Sequence, residues 1–290
     1  MIQRAALRDV LTQALAPGTV MHGVAAQGLT VTAHGVQVQL SDSSSRTADA
    51  VVGADGTHSV VARHLNGPLA HRYAGYTAWR GVAAMAVDDE LAGETMGPGS
   101  EVGHVPMGDG RTYWFATERA AEGGVSPQGE LAYLRSKLAS WAEPIPAMLA
   151  ATDPDDVLRN DLYDRAPAGR WAAGPAVLVG DAAHPMRPHL GQGGCQALED
   201  AAVLGAMVEL SADLPSAFSA FDSFRRRRVS GVVRESRTIG QLVNLRPALL
   251  STAVSRATIL VPEFAMTHHL ATIAARSAFR LPTRNDAQSA

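Results

Sequence analysis

An aspartate that directly follows a predicted buried strand is the residue of this chain best placed to do chemistry. Residues 176–179 form a short apolar run after Pro175, the pattern of a strand in a parallel sheet, and Asp181 follows Gly180. In open α/β sheets, ligands lie just outside the carboxyl ends of the strands. A carboxylate in that place can accept hydrogen bonds from ligand hydroxyl groups. The sequence therefore predicts a ligand site at Asp181.

The loop after Asp181 leads into a helix that starts with glycine. The loop ends in Gly191, Gln192, Gly193 and Gly194. The apolar face of the helix is predicted to contain Ala197, Ala201, Leu204 and Val208. Amides at a helix start lack partners within the helix and carry partial positive charge, so this segment favours an anion or a carbonyl oxygen. The alternative is an ordinary strand-to-helix crossover in which glycine allows tight packing.

A second acidic residue also follows a short β-like run. Residues 48–54 form the run, Asp55 and Gly56 come next, and Ser59 precedes a predicted helix. By itself, Asp-Gly followed by Ser is more typical of a turn with a helix cap. Beside the Asp181 segment, we interpret Asp55 as the second acidic side chain of one site.

These segments resemble the single-component flavoprotein aromatic hydroxylases of the para-hydroxybenzoate hydroxylase type. Residues 176–205 resemble the second FAD-binding motif of that family. A family pattern, D-G-x-x-S-x-x-R, is matched by Asp55, Gly56, Ser59 and Arg63. The resemblance implies FAD as the cofactor and NAD(P)H as the co-substrate.

The resemblance also implies roles for individual residues. Asp181 would hold a ribityl hydroxyl of FAD, Pro188 would lie beside the isoalloxazine ring, and Asp55 would lie between flavin and nicotinamide. The amides presented to the pyrimidine end of the ring would come from the loop of Gly191, Gln192, Gly193 and Gly194. We therefore expect both acidic side chains and the helix-start amides to converge on one ring.

The first helix supplies a third match to the family. Its R-x-x-L-x-x-x-L pattern is matched by Arg4, Leu7, Leu11 and Leu15. The resemblance implies that Arg4 reaches the FAD. The alternative is an ordinary surface helix with one apolar face.

One family motif is not found in the 290 residues. The family's G-x-G-x-x-G loop binds the FAD pyrophosphate, and the clusters at residues 97–99 and 191–193 do not fit its spacing or its strand context. We expect that the pyrophosphate site is not encoded in this chain. An N-terminally truncated, FAD-deficient and non-catalytic fragment is therefore an alternative to an enzyme.

The predicted fold class is α/β: an incomplete FAD-binding Rossmann-like (three-layer) domain with a mixed β-sheet substrate domain and C-terminal helices. The predicted domains are residues 1–70 and 166–245 for the two parts of the FAD-binding domain, 71–165 for the substrate-binding sheet and 246–290 for the C-terminal helical region. Predicted strands are residues 19–25, 29–33, 36–40, 48–54, 77–87, 101–106 and 112–117. Predicted helices after the first include residues 127–142, 217–245 and 247–275.

Aromatic and basic residues of the predicted substrate sheet could bind a flat, anionic substrate. These residues are Trp79, Arg80, Tyr113 and Trp114. Aromatic rings supply stacking surfaces and arginine supplies a cation. The alternative is that the aromatic residues belong to the core.

Composition excludes several other function classes. The net charge of −3 predicts no nucleic-acid partner, and we interpret the basic run at residues 225–228 as a solvated helix face. The only cysteine, Cys195, suits a reducing, cytoplasmic compartment and is interpreted as a packing residue. No apolar run is long enough for a membrane helix. His184 and His189 lack companions for a metal site and are interpreted as polar loop residues.

The sequence thus predicts an FAD-dependent monooxygenase that uses NAD(P)H and O2 to hydroxylate an aromatic or heteroaromatic small molecule. An epoxidase or a reductase on the same scaffold is the alternative reaction. We expect no membrane partner, and we expect a homodimer.

Overall fold

The computed structural model describes residues 2–32, 35–88, 92–97, 99–243, 261–262, 264–265, 268 and 280–288. These residues divide into two compact units. The first unit takes the described parts of Met1–Met21, Tyr73–Tyr163 and Gln241–Leu260, and the second unit takes those of His22–Arg72, Asp164–Gly240 and Val261–Ala290. The predicted domain boundaries differ from this division in placing residues 1–21 with the FAD-binding part.

The described helices are α1 Arg4–Gln13, α2 Val60–Asn66, α3 Glu130–Lys137, α4 Ile145–Ala150, α5 Gly193–Leu210, α6 Leu214–Val243 and α7 Arg284–Gln288. The described strands are β1 Ala26–Thr32, β2 Gly35–Leu40, β3 Ser45–Ala48, β4 Val51–Gly53, β5 His71–Ala83, β6 Gly93–Gly97, β7 Ser100–Pro106, β8 Thr112–Glu118, β9 Leu158–Arg165, β10 Ala172–Ala173 and β11 Ala176–Leu178. Strands and helices alternate in part, which confirms the predicted α/β class.

The second unit contains a pair of parallel strands covered by helices. Strand β11 pairs in parallel with β4, so that Leu178 lies opposite Gly53. A Cβ at Gly53 would lie 2.7 Å from the Val61 side chain, so glycine allows α2 to pack directly on β4. The core of this unit includes Leu178 and, on α5 and α6, Met207, Phe218 and Phe221. A separate antiparallel sheet has the order β1-β2-β3.

The first unit contains a five-stranded sheet in the order β6-β7-β8-β5-β9. Helices α3 and α4 pack on it, and Leu131, Leu134 and Leu138 are buried there. Trp114 is fully buried in the same core. The aromatic side chain therefore contributes to the stability of the unit rather than to an open pocket.

Several predicted elements differ from the structure. Residues 19–25 form no strand, and Gly23 has a φ of +79°, which interrupts extended backbone. Strands β6 and β9 were not predicted, because both are edge strands with charged or glycine residues that break apolar alternation. The predicted helix at residues 127–142 is the shorter α3, and α4 was not predicted.

The buried face of α5 also differs from the prediction. Its buried residues are Gln196, Asp200, Val203, Leu204 and Met207, whereas Ala201 and Val208 are exposed. The physical reason is that Gln196 and Asp200 bind a buried arginine of α6. Paired polar side chains thus take part of the face that apolar periodicity assigned to alanine.

The C-terminal part of the chain is described only in part. The predicted helix at residues 217–245 corresponds to α6, but most of the predicted region 246–290 lies outside the described residues. Within the described part, no helix is both long and apolar enough to cross a membrane.

Candidate functional site

The two acidic residues predicted from strand ends lie at the same edge of the parallel pair. Asp55 follows β4 and Asp181 follows β11, and both side chains are exposed. Because the strands are parallel, their carboxyl ends meet at one edge. The charges of both carboxylates also act on one guanidinium, that of Arg165. The structure therefore brings Asp55 and Asp181 together.

Asp55 also stabilises the helix that follows it. Its Oδ2 accepts a hydrogen bond from the Val60 amide at 2.7 Å, and the Ser59 hydroxyl caps α2 by accepting from the Ala62 amide at 2.9 Å. Gly56 between them has a φ of +75°, which favours glycine. The turn-and-cap alternative is thus correct for the local structure, and it fixes the exposed Asp55 carboxylate at the strand edge.

Asp181 lies in a tight turn, Gly180–Ala182, that begins at a glycine with a φ of +56°. The turn is closed by the Ala183 amide, which donates to the Gly180 carbonyl at 2.9 Å. Within the described ranges, no group donates a hydrogen bond to the Asp181 carboxylate. This carboxylate is therefore available to a ligand.

The start of α5 supplies amides without helical partners. Pro188 is exposed and opens a short turn, Gly191 has a φ of +61°, and α5 begins at Gly193. The first intrahelical bond runs from the Gln196 amide to the Gln192 carbonyl at 2.8 Å. A Cβ added at Gly194 would meet nothing within 4 Å. The helix start is therefore open to a ligand that accepts hydrogen bonds.

Arg165 is a residue of this site that the sequence analysis missed. Only 3% of it is exposed, and its Nη2 donates to the carbonyls of Asp181 at 2.9 Å and Ala182 at 2.8 Å. Among the described residues, nothing accepts from its Nε or Nη1. Burial lowers the pKa of Arg165, while the charges of Asp181 and Asp55 oppose that change. Unsatisfied buried donors beside two carboxylates are expected at a ligand site.

This set of groups fits part of FAD. The exposed Asp181 carboxylate matches a ribityl hydroxyl, and the helix-start amides with the unsatisfied Arg165 donors match the carbonyl oxygens and the ring nitrogens of the isoalloxazine. No sequence signal pointed to Arg165, because charged and polar residues interrupt any apolar alternation in the strand Leu158–Arg165.

The basic run on α6 is not the solvated face that the sequence predicted. Arg225 is 2% exposed and donates to Glu199 and Asp200 of α5, each at 2.8 Å. Arg228 also donates to Glu199, and Arg226 pairs with Asp222. Arg225 and Arg228 thus join α6 to α5, whereas Arg227 of the same run is exposed.

The predicted substrate residues separate onto two faces of the five-stranded sheet. Arg80 pairs with Phe115 and Tyr113 with Val82 across β5 and β8, so Arg80 and Tyr113 share one face. Trp79 lies on the opposite face, is 3% exposed and donates to Glu130 at 2.6 Å. Alternation along the strand therefore makes Trp79 a core residue, which corrects its assignment to the substrate.

Arg4 is an exposed residue of the first unit, whereas the other predicted cofactor residues belong to the second. Helix α1 has no buried residue, as expected from the surface-helix alternative. Burial raises the pKa of Tyr113, and the positive charges of Arg80 and Arg4 oppose that change. The charge of Arg4 therefore acts on Tyr113, which belongs to the same unit.

Other predicted residues are placed as follows. Cys195 is exposed, which corrects its interpretation as a packing residue. His184 is buried against Asp200, and His189 is 9% exposed. The described part of the chain contains no group of three or more potential ligands that could hold a metal. A cavity of about 280 Å³ near β4 is mostly apolar, and among the predicted site residues only Asp55 lines it.

Comparison with known proteins gives a consistent result. The family model described as FAD binding domain matches residues 1–236. The chain is 41% identical over 243 residues to an aurachin C monooxygenase/isomerase of Stigmatella aurantiaca, covering 83% of this chain and 63% of that protein. It is 34% identical over 249 residues to a chloroplastic zeaxanthin epoxidase of Nicotiana plumbaginifolia, covering 80% of this chain and 37% of that protein.

A solved structure is similar over nearly the whole chain. It is the crystal structure of Klebsiella pneumoniae HpxO complexed with FAD and uric acid, with a TM-score of 0.86 and 28% identity. The likeness covers 94% of this chain and 71% of that one. By contrast, the chain spans less than two thirds of the length of each of the two curated relatives, the aurachin C monooxygenase/isomerase and the zeaxanthin epoxidase.

Proposed function

Because this chain belongs to the FAD-binding domain family of the para-hydroxybenzoate hydroxylase type, we propose that the protein is an FAD-dependent monooxygenase. It hydroxylates an aromatic or heteroaromatic small molecule with NAD(P)H and O2. The observation that carries this proposal is the edge of β4 and β11, where Asp55, Asp181 and the unsatisfied donors of Arg165 occur together.

Each group at this edge has a distinct part in holding FAD. Asp181 accepts hydrogen bonds from ribityl hydroxyls, and Gly56 gives the backbone its turn beside Asp55. The amides of the loop orient the ring and favour the negative charge of its reduced form. The loop residues in this role are Gly191, Gln192, Gly193 and Gly194, with Pro188 at the ring edge. When bound, FAD supplies the redox chemistry between NAD(P)H, oxygen and substrate.

The substrate is held by residues of the five-stranded sheet. Arg80 and Tyr113 share a face and present a cation and a phenol, which suit an aromatic compound with an anionic or hydroxyl group. The likeness to a structure with bound uric acid supports a heteroaromatic substrate. Arg4 adds positive charge near Tyr113. Its assignment to FAD rests on the family pattern alone.

The test is a turnover assay on FAD-loaded protein with NADH or NADPH and a panel of phenolic and heteroaromatic compounds. We expect oxygen-dependent consumption of the reduced nicotinamide, stimulated by the substrate, and a product heavier by one oxygen atom. Consumption that does not require oxygen would instead identify a reductase.

The matched binding test compares Asp181→Ala with Asp42→Asn, which changes an exposed acid in a β-turn. The first variant should lose FAD during gel filtration because a direct ligand is removed, and the second should retain it. Equal FAD content in both would refute the role of Asp181.

Epoxidation is a second candidate, favoured by the identity with the zeaxanthin epoxidase. The same assay with an alkene substrate distinguishes it, because the added oxygen then forms an epoxide ring across the double bond instead of a hydroxyl group on an aromatic ring. We also propose that the protein is cytoplasmic, which the single cysteine supports. We further propose that it forms a homodimer, which light scattering can test.

A further inference from the structure

A buried carboxylate connects the Asp181 turn to two helices. Asp200 of α5 is 0% exposed. Its Oδ2 accepts from the Gly180 amide at 2.7 Å and lies 2.6 Å from His184 Nε2, while its Oδ1 accepts from Arg225 Nε at 2.8 Å. Gly180 begins the turn that carries Asp181, and His184 follows that turn and donates its amide to the Gly180 carbonyl at 2.9 Å. One side chain therefore binds residues on both sides of Asp181.

The charge of this carboxylate is balanced inside the protein. Arg225 of α6 lies against Asp200 and also donates to Glu199 at 2.8 Å and to Gln196 Oε1 at 3.0 Å. Burial acts to raise the pKa of Asp200, but the hydrogen bond and charge of His184, with the charge of Arg225, lower it overall. Asp200 is thus an anion at neutral pH, and a charged acceptor makes stronger hydrogen bonds than a neutral one.

The turn is held from its other side as well. Arg165 donates to the carbonyls of Asp181 and Ala182, so Asp200 binds the amide side of the turn and Arg165 binds the carbonyl side. Gly180 leaves little space, because an added Cβ would lie 3.2 Å from Ala197 of α5. The backbone at Asp181 is therefore fixed on both sides while its carboxylate stays exposed. Such support limits the freedom of a binding group without touching its ligand.

We propose that Asp200, balanced by Arg225, is a positioning residue for the flavin site: it holds the Gly180–Ala182 turn and so orients the Asp181 carboxylate towards FAD. This inference rests on the proposed function. The inference goes beyond the proposed function because it assigns a role to a residue that does not touch the cofactor.

The ordinary explanation is that the Asp200 pair only stabilises the packing of α5 on α6. Glu199 separates the two explanations, because it also binds Arg225 but, in the described part of the chain, forms no hydrogen bond with the turn. Asp200→Asn and Glu199→Gln each remove one acid from the same network. Only the first weakens the hold on Gly180 and His184.

The experiment measures FAD binding by flavin fluorescence, the visible circular dichroism of bound FAD, and hydrogen exchange of the peptide at residues 179–184. We expect Asp200→Asn to raise the FAD dissociation constant by about tenfold, the effect of a lost charged hydrogen bond. Its flavin dichroism should change, and the peptide should exchange faster before FAD is added. Glu199→Gln should change the FAD dissociation constant by less than about threefold.

Asp200→Asn leaves Arg225 without one buried partner and can impair folding. The double variant Asp200→Asn with Arg225→Gln removes both charges and should fold while still binding FAD weakly. Wild-type protein that does not bind FAD would refute the proposed function, and this inference with it. Wild-type binding with unchanged affinity and dichroism in both Asp200 variants would refute the positioning role alone. If Glu199→Gln weakened FAD binding as much as Asp200→Asn, that result would also refute the positioning role alone.

Discussion

Two buried arginines of the second unit differ in how their donors are satisfied. Arg225 is bound by Asp200, Glu199 and Gln196, whereas Arg165 has two nitrogens without an acceptor among the described residues. A fully paired arginine contributes to the fold, while an unsatisfied one costs stability unless a ligand binds it. The contrast indicates that Arg225 supports the site and Arg165 belongs to it.

This contrast predicts opposite effects for two similar substitutions. Arg165→Met should change the free energy of unfolding of the ligand-free protein by less than about 1 kcal/mol, because lost hydrogen bonds are offset by removal of unsatisfied donors. Arg225→Met should destabilise by about 3–5 kcal/mol, since it leaves Asp200 uncompensated. Urea unfolding measures both effects, and FAD titration should show weaker binding by Arg165→Met. Equal destabilisation by the two substitutions would contradict the assignment.

The single cysteine is a natural probe of the helix start. Cys195 is exposed in the first turn of α5, next to the glycines assigned to the flavin ring. Saturating FAD should therefore slow the reaction of its thiol with a disulfide reagent by at least about tenfold, because bound ligand blocks access. Absorbance of the released thiolate measures the rate, and Cys195→Ser is the blank. A rate unaffected by FAD would exclude a ligand at Gly193 and Gly194.

At the scale of elements, close packing of α2 on β4 sets the position of Asp55. Gly53→Ala should destabilise by about 1–3 kcal/mol, because its methyl group would overlap Val61 and Leu178. Gly231→Ala within α6 is the control: an added Cβ meets nothing within 4 Å, so it should stabilise by about 0.5–1 kcal/mol. Thermal unfolding compares the two variants. A Gly53→Ala protein as stable as the wild type would show that β4 and α2 can separate without loss.

The ion pairs between elements make stability depend on acid pH. The Arg187 guanidinium lowers the pKa of Asp164, and Arg228 and Arg225 lower that of Glu199 against the effect of burial. His184 and Arg225 lower the pKa of Asp200 against the effect of burial in the same way. A folded-state pKa below the unfolded value means that the stabilisation is complete above the unfolded pKa. It is lost as the pH falls through the folded value.

Unfolding free energy should therefore be insensitive to these groups near pH 7 and fall below about pH 5. Urea unfolding between pH 3 and pH 7 measures the slope in that window. Asp164→Asn should reduce the slope, because one of the shifted groups is removed. A slope that is absent, or equal in the variant, would show that these pairs contribute no acid sensitivity.

At the scale of the molecule, each unit has its own hydrophobic core, and the proposed flavin groups that the structure brings together lie in the second unit. A ligand that binds only the folded state stabilises it by mass action. FAD at about 100 times its dissociation constant should add about 2.7 kcal/mol to the free energy of unfolding. Calorimetry with and without FAD measures this increase, with riboflavin as a control for the isoalloxazine ring and ribityl chain without the pyrophosphate and adenosine. An unchanged melting temperature would contradict FAD binding by this chain.

The sequence alone determined the family, the α/β class and the two acidic residues at strand ends. These features are local: the strand, the glycine loop and the helix around Asp181 lie within one continuous stretch, and periodicity with glycine positions specifies them. The position of Asp55 at a strand end was also predicted from the sequence, but only the structure shows that its carboxylate caps α2.

Only the tertiary structure decided which side chains complete the site. The sequence does not distinguish Arg165 from Arg225, yet Arg225 is fully paired and Arg165 is not. Trp79 is next to Arg80 in the sequence, yet strand alternation buries Trp79 in the core. Pairing such as that of Asp200 with Arg225 joins residues on different helices and leaves no periodic signal in the chain. Whether a charged side chain is solvated or buried depends on partners that only folding brings near it.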